Sequence, residues 1–232
     1  MKLYGFAAPF AMLTALLLAG CGQGQERQAP PAATTRAEPL PDVPVMGPEL
    51  RVLALGDSLF AGYGVKRDES YPARLEAALR ARGVNARIAN AGVSGDTTAG
   101  GLERLAFTLS SQSQPPQLVI ISLGGNDMLR GLPPEQTRAN LDSIVSQLRA
   151  KGIKVVLMGM LAPPNLGADY RAKFDTIYPA VAQKHGAVLV PFFLQPLMGK
   201  PDLIQADRIH PNALGIEEIV AATVGEVARA AS

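Results

Sequence analysis

Beyond residue 50, short apolar runs alternate with longer segments whose apolar residues recur at helical spacing. The runs Val52–Leu55, Arg87–Asn90, Leu118–Leu123, Lys154–Met158 and Ala187–Val190 predict five strands. Val52-Leu-Ala-Leu55 has the unbroken apolar character of a strand buried on both faces, and Leu118–Leu123 predicts a second buried strand. Between the runs, Ser70 to Arg82 predicts a helix. Ser70 is placed to cap it, Pro72 lies in its first turn, Leu75, Ala78 and Leu79 form its apolar stripe, and Gly83 stops it. A second helix starts at Asp96 or Thr97 and carries Leu102, Leu105 and Leu109, ending before Pro115-Pro116. A third opens at Pro133-Pro134-Glu135 and carries Leu141, Ile144, Val145 and Leu148 up to Gly152. A fourth is expected as one unbroken helix from Asp169 to His185, closed by Gly186, and a last one follows Pro211-Asn212. Alternation of strand and helix implies an α/β domain from about residue 50 to 232, with a mostly parallel sheet between helix layers.

The first 49 of the 232 residues read differently. Met1-Lys2 followed by uncharged, apolar Leu3–Ala19 has the build of an export signal, although a membrane anchor would look similar. Leu18-Ala19-Gly20-Cys21 resembles the bacterial lipobox, which implies cleavage after residue 20 and a lipid on Cys21. The chain has one cysteine, so a disulfide within it gives Cys21 no role. Six prolines between residues 22 and 49 (30, 31, 39, 41, 44 and 48) among Gln, Ala, Thr and Glu predict an extended spacer, residues 21–49. An envelope lipoprotein is therefore expected, with Gly22 rather than Asp favouring the outer membrane of a Gram-negative cell. Charge adds one exclusion. The 22 basic and 20 acidic residues give a net +2 and are scattered, with no basic patch to hold nucleic acid.

Candidate chemistry gathers after the strands, where ligand crevices of open α/β sheets form. These segments hold Asp57-Ser58, Ser94-Gly95-Asp96, Gly124-Gly125-Asn126-Asp127 and Asp207-Arg208-Ile209-His210. A serine nucleophile needs a base within reach and an acceptor that fixes the base's tautomer. The chain has two histidines. His185, at a helix end beside Gly186, suits a structural role. His210, three residues after Asp207, is the better base; the alternative is that the pair merely caps the last helix. Gly95 can present a bare N–H to an oxyanion, and Asn126 its side-chain amide. Gly-Asp-Ser and Gly-Gly-Asn-Asp are also ordinary turn sequences.

Taken together, these blocks resemble the SGNH or GDSL hydrolase superfamily in order and spacing. They are Gly56-Asp57-Ser58-Leu59, Ser94-Gly95-Asp96, Gly124-Gly125-Asn126-Asp127 and Asp207-x-x-His210-Pro211. Asn90-Ala91, Leu129-Arg130-Gly131 and Tyr178-Pro179 bring the chain nearest to the thioesterase I and arylesterase group. The resemblance implies a three-layer α/β/α sandwich with a five-stranded parallel sheet and hydrolysis of an acyl ester or thioester without metal or cofactor. It implies Ser58 as nucleophile, His210 as base, Asp207 as its orienter, and Ser58, Gly95 and Asn126 as oxyanion donors. Phe60 stands where the nucleophile elbow of α/β-hydrolases requires glycine, so that motif is absent. A monomer is expected, with Ala162–Tyr170 bordering the acyl pocket and Met128 and Leu129 either in its wall or in the core. Two rivals remain. Asp57, Asp96, Asp127, Asp207 and His210 could form a metal-dependent phosphoesterase site, or the domain could be a non-catalytic envelope binding module.

Overall fold

The computed structural model describes residues 44–231. The export signal, Cys21 and most of the proline-rich spacer lie outside the described residues. Residues 44–49 carry no helix or strand and are mostly exposed. The fold begins at β1 (Leu50–Gly56), flanked by β2 (Ala86–Gly92) and β3 (Leu118–Ser122). With β4 (Lys154–Met158) and β5 (Val188–Val190) these make one five-stranded sheet in the order β2-β1-β3-β4-β5, parallel at every pairing. Burial follows the apolar pattern. Val52–Gly56 and all of β3 are buried, whereas β2, on the sheet edge, is half-buried or exposed beyond Ala86 and carries exposed Arg87.

Eight α-helices cover the sheet among the described residues: α1 (Ser58–Ala61), α2 (Tyr71–Ala81), α3 (Thr98–Ser110), α4 (Gly125–Leu129), α5 (Pro134–Ala150), α6 (Ala168–Phe174), α7 (Ile177–His185) and α8 (Ala213–Ala231). One layer pairs α2 with α8; the other packs α3, α5 and α7 in series. Leu141, Ile144, Val145 and Leu148 of α5 are wholly buried, as the spacing predicted. Each such side chain contributes roughly 1.5–3 kcal/mol relative to exposure. Under α1, the rings of Phe60 and Tyr71 stack at 5.2 Å, and Phe193 meets Tyr71 edge-on at 4.8 Å. These contacts fix the first turn after β1.

Two expected details differ. The stretch from Asp169 to His185 is two helices rather than one, broken at Asp175-Thr176. Pro179 explains the break: in a continuous helix its ring would collide with the carbonyl of residue 175 and its missing N–H would leave that carbonyl unbonded. Within the first turn of α7 neither cost arises. Asp175 instead accepts the Ala162 N–H at 2.8 Å, pinning the chain after β4. Ser70 precedes α2 but does not cap it by its side chain; its hydroxyl donates to the Arg67 carbonyl at 2.8 Å.

Gly124 is the residue on which α4 turns. Its φ of 107° suits glycine, and a Cβ there would lie 2.3 Å from the Tyr178 hydroxyl, which donates to the Leu123 carbonyl. Gly124→Ala is expected to cost about 2 kcal/mol or more in urea unfolding. A loss within a few tenths of a kcal/mol would contradict the packing described.

Candidate active site

β1 stops at Gly56, and Asp57 caps the helix that follows. Its Oδ1 accepts the Leu59 N–H at 3.0 Å, while its own N–H donates to the Ser122 carbonyl at 3.1 Å. Ser58 is therefore the first residue of α1, half-buried at the carboxyl edge of the sheet. Asn90 holds α1 in place from the neighbouring strand. Its Nδ2 donates to the Phe60 carbonyl at 2.7 Å and its Oδ1 accepts the Gly92 N–H at 2.9 Å.

The histidine arrives on a tight turn before α8. The Gln205 N–H donates to the His210 carbonyl at 2.8 Å, and Arg208, with φ of 61°, takes the left-handed conformation inside the turn. A non-glycine residue bears about 1–2 kcal/mol for that conformation. The turn folds Asp207 back on its own chain. Its Oδ1 accepts the N–H groups of Ile209 (2.9 Å) and His210 (3.0 Å), and its Oδ2 meets His210 Nδ1 at 2.6 Å. The His210 ring and these two N–H groups hold the Asp207 carboxyl down at about 2. Asp207 is thus ionised and can only accept, so Nδ1 carries a proton, and in the neutral ring this leaves Nε2 with its lone pair. Nε2 lies 2.8 Å from Ser58 Oγ. The last helix needs no cap from this pair, because Asn212 Oδ1 accepts the Gly215 N–H at 3.0 Å.

Ser58, Gly95 and Asn126 line the same cleft and offer three N–H donors to it. The Ser58 and Gly95 N–H groups donate to no described residue. Gly95, at φ 85°, is steadied by Arg130, whose Nη2 donates to its carbonyl at 2.7 Å. Asn126, on α4, donates through Nδ2 to the Asp96 carbonyl at 2.9 Å; its approach to Asp57 Oδ2, at 3.5 Å, is too long to be strong. Gly-Gly-Asn-Asp is therefore a helix start rather than a plain turn.

The remaining carboxylates are occupied elsewhere. Asp127 is buried and accepts from Thr98 N–H (2.8 Å), Thr98 Oγ1 (2.5 Å) and Thr137 Oγ1 (3.2 Å), joining α4 to α3 and α5. Asp96 pairs with Arg104 at 2.6 Å, and the same guanidinium donates to the Gly56 carbonyl at 3.1 Å. Among the described residues no three His, Cys, Asp or Glu side chains converge to hold a metal ion. This dispersal overturns the carboxylate metal site considered from the sequence. His185 lies 2.8 Å from Asp142 of α5, a structural contact as expected.

Arg104, Asn90 and Tyr63 are supporting residues that spacing alone did not reveal. The Tyr63 ring lies 4.5 Å from the His210 ring, and Gln205 Nε2 donates to both the Tyr63 and Pro211 carbonyls. Asn90, a polar residue inside a strand, was the one visible signal among them.

Ser58 and His210 open onto a cleft of about 600 Å³ with Leu59, Met128, Met160, Phe192 and Leu194 in its walls. Met128 is both buried and part of the wall, while Leu129 is exposed at the mouth. Of Ala162–Tyr170, only Pro163 borders the cleft; the Tyr170 hydroxyl donates to the Leu132 carbonyl at 3.0 Å and its ring stacks on Phe174. The expectation that this whole stretch lines the pocket is corrected accordingly.

Residues 54–217 match the GDSL-like Lipase/Acylhydrolase family. The crystal structure of AlinE4, an SGNH-hydrolase family esterase, is 58% identical and superposes with a TM-score of 0.69, covering 80% of this chain and 98% of AlinE4. Esterase TesA of Pseudomonas aeruginosa is 44% identical over 160 residues, 69% of this chain and 79% of its own length. An arylesterase of Vibrio mimicus is 41% identical over 162 residues, 70% of this chain and 80% of its own.

Burial pushes the Asp57 carboxyl up from 3.8 to about 6. The folded protein therefore holds a proton on Asp57 between those values that the unfolded chain has released, and the Asp57 contribution to stability falls as pH rises through that window. Asp57→Asn removes this dependence. Relative to the parent, the variant is expected to gain on the order of 1–3 kcal/mol between pH 4 and pH 7 in urea unfolding. A difference between the two proteins that does not change with pH would contradict it.

Proposed function

The chain belongs to the GDSL-like Lipase/Acylhydrolase family and is a carboxylic ester hydrolase; we propose that it works by acyl transfer through Ser58, with His210 as base and Asp207 as its orienting carboxylate. The observation that carries this reading is the unbroken relay Asp207 Oδ2, His210 Nδ1, His210 Nε2, Ser58 Oγ, with contacts of 2.6 and 2.8 Å at the edge of an apolar cleft.

In the proposed cycle Ser58 Oγ attacks the acyl carbonyl as its proton passes to His210 Nε2. The imidazolium that forms is held by ionised Asp207. Negative charge gathers on the carbonyl oxygen, which accepts from the Ser58 N–H, the Gly95 N–H and Asn126 Nδ2. Donors fixed before the reaction are worth roughly 3 kcal/mol each at this step, because nothing has to reorganise. Collapse of the tetrahedral intermediate breaks the bond to the leaving alkoxide or thiolate, which takes the proton from His210. Water then attacks the acyl-enzyme by the same route and releases the acid.

The apolar walls favour an acyl group without charge, as an ester or a thioester. No step calls for a cofactor. Attachment to the cell envelope through a lipid on Cys21, with residues 21–49 as spacer, completes the proposal and is supported by the lipobox-like Leu18-Ala19-Gly20-Cys21.

Hydrolysis of p-nitrophenyl butyrate tests the assignments. Ser58→Ala is expected to lower kcat by about 10³-fold or more, and Asn126→Ala by about 10²–10³-fold, while a chelator leaves the rate unchanged. Equal rates for the parent and Ser58→Ala would overturn the mechanism, as would loss of activity to the chelator.

A further inference from the structure

Nine large apolar side chains are exposed among the described residues, and five of them ring the mouth of one cleft. Tyr63, Leu129, Leu161, Met198 and Ile209 are 42–62% exposed and come from four segments: after α1, the end of α4, after β4, and the β5–α8 connection, which supplies both Met198 and Ile209. A single acyl group is already walled by the inner residues Leu59, Met128, Met160, Phe192 and Leu194. The outer ring faces water. Contiguous apolar surface of this kind marks a site that something covers.

Charge narrows what covers it. Arg208 lines the mouth, is exposed, and its guanidinium forms no ion pair or hydrogen bond with the described residues. Arg130, also exposed, reaches the Gly95 carbonyl. The acid among the lining residues, Asp57, is buried, and Asp207 is occupied by His210. Among the lining residues the mouth thus presents apolar side chains with the Arg208 cation and no free carboxylate, and Arg130 stands beside it at Gly95, the complement of acyl chains beneath anionic headgroups.

We propose that the cleft mouth is a seat for an anionic lipid surface, on which Tyr63, Leu129, Leu161, Met198 and Ile209 enter the acyl region while Arg208 and Arg130 meet the headgroups. The inference rests on the ester-hydrolase assignment of the same cleft and adds where the enzyme collects its substrate: an acyl ester leaves the lipid surface directly into the cleft, without crossing water.

The full chain carries Cys21→Ser, which removes its one native thiol. In that background Met198→Cys is labelled with an environment-sensitive NBD dye, and Phe107→Cys, on α3 and 75% exposed outside the cleft, serves as control. Vesicles of phosphatidylcholine with about a third phosphatidylglycerol are expected to brighten the dye at 198 roughly two-fold and shift it to the blue, reversibly with salt, and to leave the dye at 107 unchanged. Equal responses at both positions would overturn the proposal. So would equal responses to pure phosphatidylcholine vesicles, or a full response to monomeric short-chain lysolipid, which would make the ring part of an acyl pocket. Brightening with protein concentration alone would assign the ring to a second copy. The dye reports docking whether or not ester is turned over, so a failure of p-nitrophenyl butyrate hydrolysis is read separately.

Discussion

β1 has β2 on one flank and β3 on the other, so the segments leaving β1 and β3 depart toward opposite faces of the sheet and cannot cover the space between them. The crevice that opens there holds the site. Gly56 lies level with Gly92 and Ser122 in the parallel register, so the three strands end together and their loops share one floor. Ser58 rises on one side of the crevice and Asn126 on the other, with Gly95 beside them from β2. Each rests on a backbone turn that its neighbours hold: Asn90 under α1, Gly124 and Tyr178 under α4, Arg130 against Gly95.

Four aspartates surround this crevice, and environment gives each a different task. Asp207 sits in water-facing loop structure and is held low, at about 2, by the hydrogen bonds of its own turn, which keeps it an acceptor for His210. Asp57 is buried next to Ser58 and pushed up to about 6, yet it caps a four-residue helix. Asp127 is spent on Thr98 and Thr137, and Asp96 on Arg104. Counting carboxylates along the chain makes a metal site conceivable. Their separate partners disperse it: local ones for Asp57 and Asp207, Arg104 for Asp96, and residues of two other helices for Asp127.

Most of the sheet was legible from residues 50 to 190 because buried parallel strands leave unbroken apolar runs, as in Leu118–Ser122. The helices were legible where stripe and punctuation agreed, as from Pro134 to Gly152. The break between α6 and α7 was not, because Tyr178 and Phe174 keep helical spacing across it and only Pro179 speaks against continuity. Ser58, Asp207 and His210 could be named from residue type and position, since the chain offers so few histidines. Arg104, Tyr63 and Gln205 could not. Their work is done through tertiary contacts, Arg104 bridging Asp96 and the Gly56 carbonyl across 48 residues, and nothing in their local sequence marks it.

The central claim is that Ser58 forms a covalent acyl intermediate. Intact-mass and peptide mass spectrometry after exposure to a p-nitrophenyl phosphonate ester tests it most directly, since the phosphonyl group stays on the residue that displaces nitrophenolate. The account predicts a single adduct on the peptide containing Ser58, absent from Ser58→Ala and slowed in His210→Ala. No adduct on the active protein, or an adduct on another residue, would contradict it.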